Sequence, residues 1–124
     1  MCTLHTIDPN RAEAFSENLI DMLNKASLAI MLSVGHRTGL LDAMRLLPPS
    51  TSDEIADAAG LHERYVREWL GALSTGGIVE IHSNGGAPRY VLPAEHAAFL
   101  TRAVGQDNIG VFTQYIGVLG AVED

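Results

Sequence analysis

The stretch from Thr51 to Leu92 constrains the fold most, because it orders a capped helix, a tight turn, a second helix and a hairpin. Thr51 can accept from the amide of Glu54 while the Glu54 carboxylate reaches back to the amide of Thr51, a reciprocal cap that opens a helix. Ile55, Ala56 and Ala59 then share one face, and Gly60 supplies the left-handed residue that ends the run. The turn is Gly60-Leu61-His62. From Glu63 to Thr75, Val66, Leu70 and Leu73 recur at helical spacing, with Tyr65 and Trp69 beside them as expected core anchors, until Gly76-Gly77 stops the pattern. Arg64, Arg67 and Glu68 fall on the wetter face. Two β-rich segments, Ile78-Val79-Glu80-Ile81 and Tyr90-Val91-Leu92, flank the loop Ser83-Asn84-Gly85-Gly86-Ala87-Pro88. The order reads as a winged helix-turn-helix, mainly α with a small β-hairpin.

Such a scaffold puts its second helix where the DNA major groove can receive it. Charge argues the other way. Between Thr51 and Pro93, three cations (Arg64, Arg67, Arg89) face six carboxylates, and the whole chain carries a formal −7. A DNA-binding module offers a basic face, whereas Glu63 and Glu68 lie in the recognition helix itself. Arg64, Arg67 and Arg89 are the candidate contacts to an anion or to DNA, and surface pairing with neighbouring glutamates is the commoner fate of such side chains.

Upstream, Asp8-Pro9 is a helix opening, and Ala12, Phe15, Leu19, Leu23, Ala26 and Ile30 carry an apolar face to about Val34. Leu28, Met31 and Leu32 add other faces, so the second half of this helix is expected to be buried nearly all round. Gly35 is expected to interrupt it, with His36 near the start of a second helix over Thr38 to Leu47 that Pro48-Pro49 ends. A short helix follows from Pro93 to about Arg102. The last segment, Asp107 to Asp124, predicts a helix whose Ile109, Val111, Phe112, Tyr115, Ile116, Val118, Leu119 and Val122 cover almost its whole circumference. The glycines Gly105, Gly110, Gly117 and Gly120 suit close helix packing. Helices this apolar need cover from a partner chain or another domain.

The 47% hydrophobic content of 124 residues suffices for one core, and no apolar run approaches the roughly 20 residues of a membrane span. One cysteine, Cys2, excludes an intrachain disulfide, and with no secretory signal visible the expected compartment is the cytoplasm. The histidines His5, His36, His62, His82 and His96 lack metal-ligand spacing, and no nucleophile elbow or phosphate loop occurs, so no catalytic, cofactor or metal residue is assigned. Asp53, Glu54 and Asp57 read as a solvated helix start favoured by the macrodipole.

Gly60-Leu61-His62-Glu63-Arg64-Tyr65-Val66-Arg67-Glu68-Trp69-Leu70 and Tyr90-Val91-Leu92-Pro93-Ala94-Glu95-His96-Ala97, with Gly35-His36-Arg37-Thr38-Gly39-Leu40-Leu41-Asp42-Ala43 before them, closely resemble the N-terminal winged-helix domain of bacterial AdoMet-dependent methyltransferases, some labelled transcriptional regulators. The resemblance implies a homodimer through the N-terminal and C-terminal helices and a lid over the substrate side of a Rossmann-like domain that binds AdoMet. No residue of this sequence matches that domain's Gly-rich loop, so the chain is expected to be part of a longer protein and not catalytic alone. On this reading residues 1–48 form a helical dimerisation segment, 49–103 the winged module, and 104–124 a helix leading toward the absent catalytic domain. The competing readings are a DNA-binding regulator and a module sensing a small apolar ligand between its helices and a partner.

Overall fold

A computed structural model describes residues 6–102. Helix α1 (Pro9–Thr38) starts where Asp8 caps it, its Oδ1 accepting from the amide of Asn10 at 3.0 Å. Thirty residues make it about 45 Å long. It passes through Gly35 and ends instead at Gly39, which takes the left-handed conformation at φ 78°. Gly35 stays helical because its missing side chain lets another element approach: a Cβ there would stand 2.5 Å from Trp69 Cζ2 and 3.0 Å from Leu41 Cγ. The break is therefore four residues later than expected, and α2 is shortened to Leu40–Arg45.

Helix α3 (Ser52–Ala59) carries the reciprocal cap between Thr51 and Glu54 and ends at left-handed Gly60. Helix α4 (Glu63–Thr75) buries Val66, Trp69, Leu70 and Leu73. The hairpin pairs β1 (Glu80–His82) with β2 (Arg89–Val91), Ile81 opposite Tyr90. The first strand starts later than the β-rich run suggested, since the amides of Ile78 and Val79 bond back to the Leu73 carbonyl at 2.9 and 3.2 Å and close the end of α4. On the other side of β2, Ser50 and Tyr90 exchange backbone bonds of 3.0 and 2.7 Å, tying the segment before α3 to the wing. Helix α5 (Ala94–Leu100) follows from Pro93.

The core gathers Leu40, Leu41 and Met44 of α2, Ile55 of α3, the apolar face of α4, and Tyr90 and Leu92 of the hairpin. It is the winged helix-turn-helix read from the sequence. Helix α1 meets it along one side of its last three turns only. The all-round burial expected there is not found: Ser33, Gly35 and His36 are buried, while Ile30 and Val34 face outward because α2 and α4 cover a single side. The helix expected over Asp107 to Asp124 lies outside the described residues. Among the described residues no helix is long and apolar enough to cross a membrane.

Candidate functional site

Two surfaces compete as the functional face, and the recognition helix is the first. Arg67 Nε stands 3.8 Å from Glu63 and Arg64 Nε 3.9 Å from Glu68, each one helical turn away. Arg89 of the wing reaches Glu54 Oε1 at 3.3 Å. Each candidate contact to an anion thus has a glutamate of its own, in solvent-exposed pairs that add little stability but neutralise the charge a phosphate would seek. Glu63 is held further by the Ser52 hydroxyl, which donates to its carboxylate at 2.6 Å. The Glu54 carboxyl is held below its usual range by the backbone and side-chain hydrogen bonds from Thr51, with Arg89 adding to the effect, so it stays charged.

Tyr65 was expected in the core and is 70% exposed, with its ring edge-on to His62 at 6.1 Å between centroids. One helical step separates it from the buried face that Val66, Trp69 and Leu70 occupy, so the spacing that placed Trp69 correctly did not extend to it. Trp69 goes inward and donates its indole N–H to the Met31 carbonyl at 2.8 Å.

The second surface is α1. From Pro9 to Ser27 every residue is exposed, and Phe15 (64%), Leu19, Met22, Leu23 (58%) and Ile30 make one apolar stripe at helical spacing. The winged core leaves these side chains exposed. On the opposite side, a groove of about 700 Å3 opens between α1 and the end of α4, with Leu28, Met31, Gly71 and Ala72 at its floor and Asp21, Asn24 and Lys25 at its rim.

A third feature had no local sequence signal. Arg102 donates from its backbone N–H to Asp42 Oδ1 at 2.8 Å, from Nη1 to Asp42 Oδ2 at 2.7 Å and from Nη2 to the His36 carbonyl at 2.7 Å. These partners lie 60 and 66 residues apart in sequence, so only the fold brings them together. His36 sits in the last turn of α1, not at a helix start as its place beside Gly35 suggested, and is 4% exposed. Burial first, and the nearby Arg102 and Arg37 next, push its pKa below the usual 6.5 against the opposing effect of Asp42. His82 lies on β1 facing water, as expected, and the His96 ring pairs at Nδ1 with the Ile78 carbonyl at 2.7 Å. Among the described residues no cluster of histidine, cysteine and acidic side chains could hold a metal.

The Rv2258c-like winged HTH domain model matches residues 26–102, more than half of the chain, from within α1 through α5. The chain belongs to this family. A search of curated proteins finds no match. Among solved structures, the Rv2258c-like chain superposes on human N-acetylserotonin methyltransferase with a TM-score of 0.70 at 16% identity, over 93% of this chain and 32% of that one. The mitomycin 7-O-methyltransferase MmcR gives 0.63 at 22% identity, over 94% and 36%, and PigF gives 0.64 at 22% identity, over 82% and 28%. At these identities the likeness is one of fold. The Rv2258c-like chain spans about a third of the length of these proteins.

Proposed function

We propose that this chain is the dimerisation and substrate-lid domain of a small-molecule AdoMet-dependent methyltransferase of the cytoplasm, without catalytic power of its own. The observation that carries the reading is the exposed stripe on α1, an apolar face about four turns long that its own winged core leaves in water. A stable interface buries on the order of 1,200 Å2 or more, and two copies of such a helix side by side are of the right size. The methyltransferase neighbours, of which the chain covers a third, support a working protein whose AdoMet site lies in a further domain. The winged module would then be a platform for that domain, and the segment 104–124 would lead toward it.

A DNA-binding role has the scaffold in its favour and the charge against it. The exposed arginines of α4 and the wing are each engaged by glutamate, and α4 exposes Glu68 and Tyr65 where a DNA reader would offer cations.

Light scattering on the chain tests the proposal. The expected species is a dimer, converted to monomer by Leu19→Glu with Leu23→Glu while the circular dichroism of the winged core is kept. A monomer in the unmodified chain at high concentration would sink the dimer reading.

A further inference from the structure

The apolar face of α1 obeys a stricter rule than amphipathicity. Ala12, Phe15, Leu19, Met22, Ala26, Ala29 and Ser33 recur at alternating steps of three and four residues, the period that keeps a seam facing a second helix. In the structure Ala12, Phe15, Leu19, Met22 and Ala26 are exposed and Ala29 is half-buried, whereas Ser33 is buried by the chain's own core. The seam free for a partner therefore runs from Ala12 to Ala29, over about 26 Å. Leu23 and Ile30, each one residue past a seam position, widen it on one side. A lone helix of the length exposed here is marginal in water, so the segment from Pro9 to Ser27 gains its stability from a second helix.

The order of large and small side chains along the seam sets the direction of that second helix. Two copies in parallel would oppose phenylalanine to phenylalanine at Phe15 and alanine to alanine at Ala12, Ala26 and Ala29, leaving the contact thick at one end and hollow at the other. The antiparallel register that uses every free position has its midpoint between Ile20 and Asp21. It sets Leu19 against the partner's Met22, Phe15 against the partner's Ala26 and Ala12 against the partner's Ala29, each layer occurring twice. Large then meets small, as interdigitated packing requires. Opposed helices also bring the positive end of each macrodipole beside the negative end of the other. The groove beside α4 lies on the opposite side of α1 and takes no part.

We propose that two copies of this chain pair α1 antiparallel along this seam, with Phe15 of each seated over the partner's Ala26. The inference rests on the dimer reading and adds its direction and register. Each exposed N-terminal half then lies along the second half of the partner's α1, and the two winged cores stand at opposite ends of the pair.

The test uses the full 124-residue chain. In a Cys2→Ser background, Ala12→Cys and Ala29→Cys are introduced together, treated with a short bis-maleimide and run on a denaturing gel. Trypsin, cutting after Arg11, Lys25 and Arg37, then separates the two positions into peptides 12–25 and 26–37. The expected product has the mass of two chains and joins peptide 12–25 to peptide 26–37. Like positions stand about 26 Å apart across the antiparallel pair, so mixed links should outnumber like links by about tenfold. Peptides joined mainly to their own copies would mean parallel helices and overturn the proposal, as would chains left unlinked. A packing variant gives a second reading: Ala26→Phe sets phenylalanine against phenylalanine only in this register, so it should weaken the dimer by about tenfold, and adding Phe15→Ala should restore it. An Ala26→Phe dimer as tight as the unmodified one would also overturn it. Light scattering on the same samples keeps the outcomes separable, because a dimer carrying like links removes the register and leaves the dimer reading standing, whereas a monomer removes both.

Discussion

A methyl group at Gly35 would press on the Trp69 ring, so this position ties the path of α1 to that of α4. Gly35→Ala is expected to destabilise the fold by roughly 1–3 kcal/mol in urea titration, the usual range for overpacking. Trp69→Phe removes the part of the ring nearest that methyl, so the double variant should lose less than the sum of the two single changes. Thr51→Ala deletes the hydroxyl half of the cap on α3 and should cost about 1 kcal/mol. Two titrations bear on stability in acid. His36, buried with a pKa below 6.5, keeps its contribution above 6.5 and loses it as pH falls from there toward its folded pKa. Glu54, with its pKa below the usual 4.5, keeps its contribution above 4.5 and loses it as pH drops through the folded value. Thermal melts across pH should therefore show two declines, the first below about 6.5 and removed by a His36→Gln variant that folds, the second below about 4.5 and removed by Glu54→Gln.

At the scale of elements, the glycines divide by backbone conformation. Gly39 ends α1 with φ at 78°, so Gly39→Ala should destabilise by roughly 1–2 kcal/mol. Gly71 lies inside α4 with nothing within 4 Å of where a Cβ would sit, so Gly71→Ala should stabilise by about 0.5–1 kcal/mol in the same titration. The same contrast explains what was legible in the sequence. Caps and stops are local, so Asp8, the Thr51–Glu54 box, Gly60 and the full span of α4 could be read from neighbouring residues. Gly35 was misread as a breaker because its helical role depends on Trp69, 34 positions away. Tyr65 was misread because helical spacing gives the apolar stripe but not how wide a stripe the core covers. The candidate arginines were found, but their partners decide their use: Glu63 and Glu68 were adjacent enough to anticipate, whereas Arg89 meeting Glu54 required the wing to fold beside α3. The Arg102–Asp42 pair joins α2 to the end of the described fold and leaves no periodic trace.

For the whole molecule, the shape of a DNA reader coexists with a charge of −7 and with cations already engaged by carboxylates. Non-specific affinity for a duplex comes from phosphate neutralisation with release of counterions, and its logarithm falls with log salt by about 0.9 per phosphate contacted. With three arginines as the contacts, even full engagement would give a slope near −3, and each must first give up a glutamate. A gel-shift titration with mixed genomic fragments at low salt is therefore expected to show no complex for this chain. The opposite result, a complex whose slope flattens by about one unit in Arg67→Ala, would restore the regulator reading and place the recognition helix in the groove. The apolar stripe on α1 would still need cover in that case, because DNA offers a groove walled by phosphate and no surface for Phe15 and Leu23. Association through α1 is thus expected under both proposed uses of the scaffold, and retardation of DNA is the measurement that separates them.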